Sequence, residues 1–236
     1  MNYAHYSHVA DLFEFPGPEL APRGRALLEF LREDYPDAAL EVEHFLDAIP
    51  KRTLDLQELH TRTFDVQSLT TLDIGYVLFG DDYKRGALLS NLNQEHSRAQ
   101  NDCRGELADH LPNLLRLIPK LKDQDLLDEL VREILVPALM LMIREFEPER
   151  IVKKNASYRK HFKTLIDPAP GNDPTIYCRT LKALMHVLAK DFQVTETITR
   201  LSDWGNRPQT VDFLRLVEKE MDIEREANPV NSGCDA

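Results

Sequence analysis

Leu126-Leu127-Asp128-Glu129-Leu130-Val131-Arg132-Glu133-Ile134-Leu135-Val136-Pro137-Ala138-Leu139-Met140-Leu141-Met142-Ile143-Arg144-Glu145-Phe146 is the stretch that decides the fold. Leu126, Leu127, Leu130, Val131, Ile134, Leu135, Leu139, Met142, Ile143 and Phe146 recur at the three- and four-residue spacing of one helix face. The apolar stripe is wide, so this helix is expected at the centre of a bundle, covered on several sides. Pro137 lies inside it, removes one backbone donor, and is expected to kink the helix or split it. The apolar run over 134–143 is too short to span a bilayer and belongs to a buried helix.

The same period extends outward in both directions. Tyr6, Val9, Leu12 and Phe13 predict a short first helix stopped by Pro16-Gly17-Pro18. Leu27, Leu28 and Leu31 mark a second, and Leu40, Phe45, Leu46 and Ile49 a third that Pro50 closes. Leu56, Leu59, Thr63 and Phe64 give a fourth, with Thr53 or Asp55 as its cap. Residues 69–79 read as a fifth helix ending at Gly80, and Asp81 or Asp82 caps a sixth bearing Leu88, Leu89, Leu92 and His96. Leu111, Leu114, Leu115 and Ile118 follow on a short helix that Pro119 interrupts. After Pro148 the pattern weakens. Tyr158, Phe162, Leu165 and Ile166 mark one helix, 167–174 a loop, and 176–192 and 211–223 further helices. The expectation is an all-α, single-domain multi-helix bundle over residues 1–226, with a flexible tail over 227–236.

Composition limits the function classes. Nine glycines in 236 residues and few β-branched runs favour helices over a sheet with many tight turns. A formal net charge of −11 repels nucleic acid and anionic lipid, and it favours cationic partners. Cys103, Cys178 and Cys234 are scattered without a Cys-x-x-Cys spacing, which encodes neither a zinc ribbon nor a disulfide framework. Reduced thiols and the lack of a leader pattern in the first fifteen residues lead to the expectation of a cytoplasmic protein.

No nucleophile elbow, Gly-rich phosphate loop or His-Glu-x-x-His pair is present. Glu95-His96 and Asp109-His110 are adjacent pairs, and neighbours on a helix point about 100° apart, so neither pair can address one atom unless the backbone there is irregular. A metal set from His96, Cys103, Glu106 and His110 is conceivable, though its spacing matches no established ligand pattern. The plainer reading has His96 completing an amphipathic face and Asp109-His110 opening the next helix.

Three clusters of unlike charges and aromatics interrupt the helical text. They are Thr63-Phe64-Asp65, then Gly80-Asp81-Asp82-Tyr83-Lys84-Arg85-Gly86, then Glu106-Leu107-Ala108-Asp109-His110-Leu111-Pro112. Asp65 is either a solvent-facing helix end or a carboxylate at the mouth of a groove lined by Phe64, Tyr76 and Phe79. The second arrangement would suit a basic, partly apolar peptide through charge-assisted hydrogen bonds and cation–π contact. Lys84 and Arg85 lie in a first helical turn, against the dipole, so an ion pair with Asp65, Asp82 or Glu106 is expected to hold them. Gly86 inside a helix costs about 1 kcal/mol relative to Ala, which points to close backbone packing there.

In that order and spacing the three clusters resemble the assembly chaperones of molybdenum oxidoreductases, the nitrate reductase delta-subunit (NarJ/TorD-type) family. Members show an aromatic before Thr-Phe-Asp, a Leu/Tyr-rich helix, Gly-Asp/Glu-Asp-x-x-Arg-Gly, and Glu-Leu-Pro-Asp-His/Tyr-Leu-Pro. The match covers about residues 56–121, with His60 where a Tyr is common and Ala108 replacing a proline. The resemblance implies a cytoplasmic, all-helical chaperone without enzymatic activity. Its implied partner is the apo catalytic subunit of a molybdenum oxidoreductase, bound by the N-terminal or twin-arginine peptide. The bis-pterin guanine dinucleotide cofactor belongs to that client, and the chaperone carries none of its own. Cofactor-biosynthesis proteins are candidate further partners; nucleic acid and stable membrane insertion are not expected.

The peptide site is accordingly expected at Phe64, Asp65, Tyr76, Phe79, Asp81, Asp82, Arg85, Glu106, Asp109 and His110. Carboxylates supply negative potential, while Arg85 and His110 orient them. Two other classes stand beside this reading: a small metal-binding protein using His96, Cys103 and His110, and a structural subunit of a larger complex.

Overall fold

In the computed structural model, which describes residues 3–162, 173 and 175–194, helices follow one another through short connections. They are α1 (His5–Ala10), α2 (Leu20–Asp34), α3 (Pro36–Ala48), α4 (Thr53–Phe64), α5 (Ile74–Phe79) and α6 (Tyr83–Arg98). Next come α7 (Leu111–Leu117), a 3-10 turn (Ile118–Lys120), α8 (Gln124–Glu129), a π-helical stretch (Leu130–Leu135), α9 (Val136–Arg144), α10 (Pro148–Phe162) and α11 (Tyr177–Phe192). Among the described residues there is no strand, only one isolated antiparallel bridge between Asp73 and His110. The protein is an all-α, single-domain bundle with one contiguous apolar core.

The central helix runs from α8 through the π stretch into α9, and its widest part lies immediately before Pro137. Proline supplies no N–H and its ring crowds the carbonyl four residues back. Widening the preceding turns to π geometry accommodates both effects without ending the helix. Leu127, Leu130, Val131, Ile134, Leu135, Leu139 and Met142 are buried, as a wide apolar stripe requires. Against this helix pack α5 and α11, α11 also covers α3, and α2 and α7 complete the bundle through α3 and α1.

Two features fix α11. At its start the buried Tyr177 ring lies 5.1 Å from Phe64, 5.3 Å from Phe45 and 5.5 Å from His60, at tilted or edge-on angles that aromatic pairs favour. At its end Asp191 accepts from His5 Nε2 (2.8 Å), the Tyr6 hydroxyl (3.0 Å) and the Tyr35 hydroxyl (2.8 Å), while Arg132 donates to the Phe192 carbonyl. One carboxylate thus ties α1 and the α2–α3 junction to the last turn of α11.

The helix expected over 69–79 is confined to α5, and this corrects the periodic reading. Leu69 and Thr70 donate to the Thr63 carbonyl, Asp73 N–H donates to Thr71 Oγ1, and the Leu72 carbonyl accepts from Leu111. Short polar side chains here offer the backbone non-helical partners, and the segment takes them. α10 begins at Pro148, earlier than the apolar spacing shows. Leu165, Ile166, the helix expected over 211–223 and the tail over 227–236 lie outside the described residues.

Candidate functional site: an ionic clamp joining two motifs

The N-terminus of α5 is capped from a distance. Asp73 occupies the N-cap position but turns its carboxylate away from the helix. Asp109 replaces it: its carbonyl accepts from Ile74 N–H at 3.0 Å and its Oδ2 from Gly75 N–H at 3.1 Å. These are donors that the first helical turn leaves without intrahelical partners, and the positive end of the helix favours the anion. A Cβ on Gly75 would stand 2.6 Å from Asp109 Oδ2, so the approach depends on a residue without one.

The same carboxylate anchors Arg85 from the first turn of α6. Arg85 Nε donates to Asp109 Oδ2 at 3.0 Å, and Nη2 donates to Asp73 Oδ2 at 2.9 Å. His110 Nδ1 lies 3.1 Å from Asp73 Oδ1, and because an ionised carboxylate only accepts, Nδ1 carries the proton. Tyr76 stacks on the guanidinium at 5.3 Å. The result is a continuous chain, Asp109–Arg85–Asp73–His110, linking the second and third clusters of the sequence.

Exposure grades across this chain. The Asp109 side chain is 0% exposed, Arg85 17%, His110 19% and Asp73 29%. The hydrogen bond from His110, with Arg85 adding, holds the Asp73 carboxyl below its ordinary range despite partial burial. Burial opposes the Arg85 charge, and Asp109 with Asp73 outweighs it, so the guanidinium is held protonated even more firmly than usual. Two carboxylates face one guanidinium here, and Asp73 is the one that reaches solvent.

Around this edge are exposed groups. Tyr76 is 44% exposed and Tyr83 61%, and Leu107 lies at 48%. Asp65, Asp81, Asp82 and Glu106 are exposed, and Phe79 is half-buried. Asp82 caps α6 by accepting from Lys84 N–H at 3.0 Å. Gly80 takes φ +62° and ψ −135°, a backbone conformation open almost only to glycine, which turns the chain from α5 into α6.

Several expectations are corrected. Phe64 does not line a groove: it is 3% exposed and packs into the His60–Tyr177 aromatic cluster, leaving Asp65 as a solvent-facing helix end. Asp109 is sealed behind Arg85 and Gly75, where no peptide can reach it. Arg85 pairs with Asp109 and Asp73, not with Asp65, Asp82 or Glu106. Gly86 is not a packing contact, because a Cβ there would meet nothing within 4 Å; the close approach is at Gly75. His110 does open α7, as its N-cap residue, but Asp109 before it caps α5 instead.

His96, Cys103, Glu106 and His110 do not converge: among the described residues no group of three or more His, Cys, Asp or Glu could hold a metal ion. His96 is buried with both ring nitrogens engaged, by the Ala108 carbonyl at 3.0 Å and Asn101 Nδ2 at 2.9 Å. Asp73 is the site residue that sequence reasoning missed. It was hidden by the continuous helix expected over 69–79, although Thr70-Thr71-Leu72-Asp73 ahead of Ile74 is an N-terminal signature that could have revealed it.

No family model, curated protein or solved structure matches this chain.

Proposed function

We propose that the chain is an assembly chaperone that binds the N-terminal peptide of a molybdenum oxidoreductase catalytic subunit and holds that subunit ready for cofactor insertion. The observation that carries this reading is the contact between Arg85 and Asp109 at 3.0 Å, extended through Asp73 to His110. It joins the charged residues of two separate clusters whose order resembles the chaperone family.

The roles divide by burial. Asp109 and Arg85 build the clamp; Asp73, Tyr76 and the exposed carboxylates Asp65, Asp81, Asp82 and Glu106 meet the peptide. Basic residues of the peptide pair with these carboxylates, and its apolar positions pack beside Tyr76, Phe79 and Leu107, as a helix laid on a surface does. Binding is reversible, with affinity on the order of micromolar or tighter, about −8 kcal/mol.

Titration calorimetry with N-terminal peptides of molybdenum oxidoreductase subunits tests this. Asp73→Asn, Asp65→Asn and Tyr76→Ala are each expected to weaken binding several-fold while leaving the circular dichroism spectrum unchanged. Equal affinity in all three variants would remove this face from the proposal.

A further inference from the structure

Behind the clamp lies a second hydrogen-bond chain that the peptide reading does not use, buried at His96, Asn101 and Asn113 and ending at the exposed Lys120. It runs through the connection over 101–110, which carries Asp109 and His110. His96 Nε2 lies 3.0 Å from the Ala108 carbonyl, which can only accept, so Nε2 bears the proton. Nδ1 is therefore the acceptor, and Asn101 Nδ2 donates to it at 2.9 Å. The second Asn101 Nδ2 hydrogen goes to the Asn113 carbonyl at 3.0 Å, and Asn101 Oδ1 accepts from Lys120 Nζ at 2.8 Å. Asn113 Nδ2 in turn donates to the Cys103 and Leu107 carbonyls at 3.2 and 3.0 Å.

Every polar atom of the Asn101 amide is thus committed, which fixes its orientation. The arrangement accepts only neutral His96. A proton on Nδ1 would set N–H against N–H. Turning the Asn101 amide over would not help, because it would aim the NH₂ at the Lys120 ammonium and the oxygen at the Asn113 carbonyl. Lys120 is the charged group facing the imidazole, from the 3-10 turn; the connection offers Asn101 and a carbonyl, and α7 offers Asn113. Burial, opposed by the Ala108 carbonyl and aided by Lys120, pushes the His96 imidazole below its ordinary value.

We propose that His96 is a positioning residue for the clamp: neutral, it donates to Ala108 and accepts from Asn101 and so seats Asp109 on α5 and Arg85; protonated, it loses Asn101 and loosens the 101–110 connection. This goes beyond the peptide reading and does not rest on it. The residue next to Ala108 supplies both caps of the first turn of α5, so losing the His96–Asn101 contact loosens the caps at Ile74 and Gly75 before the rest of the bundle.

The test is made on the full chain by nuclear magnetic resonance. Imidazole nitrogen shifts at about pH 7.5 should show His96 with a proton on Nε2 and none on Nδ1. Amide exchange, corrected for its intrinsic pH dependence, should show Ile74 and Gly75 losing about tenfold protection between about pH 7.5 and about pH 5, the equivalent of one hydrogen bond. Amides within α3 and α11 should keep theirs. In His96→Gln, which retains a donor toward Ala108 and cannot be protonated, the loss should be absent. A proton on Nδ1 at neutral pH would overturn the proposal, and this reading on the wild type decides even if the variant does not fold. So would an equal loss in wild type and His96→Gln, no loss in wild type, or a fall in α3 and α11 in step with Ile74 and Gly75.

Discussion

Gly75 and Asp109 are 34 positions apart, and the Gly75 N–H points straight at Asp109 Oδ2 across a gap too small for a methyl group. A Cβ would come within 2.6 Å of that oxygen. Gly75→Ala is therefore expected to destabilise the fold by about 1–3 kcal/mol, because the obstacle is a pinned carboxylate and not a free side-chain end. Gly86→Ala is the internal contrast: its Cβ meets nothing within 4 Å, so helix propensity alone acts and stability rises by up to about 1 kcal/mol. Urea unfolding of the two variants checks the opposite signs.

Asp109 and Arg85 should behave as one unit. Removing one partner of a buried ion pair strands the other, and Asp109→Ala is expected to cost about 3–5 kcal/mol. With Asp109 gone, Arg85 keeps only Asp73, so Arg85→Ala in that background should cost less than it does in the wild type. A double-mutant cycle with a coupling energy near zero would contradict the clamp.

The helical class was legible because burial obeys the period. Leu127, Leu130, Val131, Ile134, Leu135, Leu139 and Met142 could be assigned to the core by spacing alone, and they are there. So could Phe64, whose recruitment to a groove over-read a residue that spacing already placed inside. What periodicity cannot show is a partner far along the chain. Arg85 is misplaced for its helix dipole, but spacing offers Asp65, Asp82 and Glu106 as readily as Asp73 and Asp109, which lie 12 and 24 residues away, and only the fold chooses among them. Asp73 is further hidden because Leu69, Leu72 and Phe79 read as one helix, whereas backbone bonds to Thr63 and Leu111 keep 69–73 out of the helix.

Acid should weaken the fold in two stages. His60 is buried and neutral, with Nε2 on the Phe13 carbonyl, and burial lowers its affinity for a proton, as it does for His96. The unfolded chain takes up these protons near pH 6.5 and the folded chain only below that, so stability falls as pH drops through this range. Asp73, held down by its hydrogen bond from His110, and Asp191, held down by His5, Tyr35 and Tyr6 against burial, stabilise above the ordinary carboxylate range. That contribution disappears at lower pH still. Urea midpoints across pH should show both declines, and His60→Phe should reduce only the first.

Asp191 draws donors from three points of the N-terminal helices, two of them phenols that lose this acceptor if it is removed. Asp191→Ala is expected to destabilise by about 2–4 kcal/mol, more than Asp191→Asn, which keeps one acceptor oxygen. Thermal unfolding of the two variants ranks them.

The central claim is that the exposed edge of the clamp receives the leading segment of a molybdenum enzyme. Cross-linking in the native host, followed by mass spectrometry of the captured peptides, tests it most directly. The account expects residues 65–85 or 106–110 joined to the N-terminal segment of a molybdenum oxidoreductase catalytic subunit, with the link lost in Asp73→Asn combined with Tyr76→Ala. Cross-links from that face only to other proteins, or links to such a subunit that survive the double substitution, would contradict it.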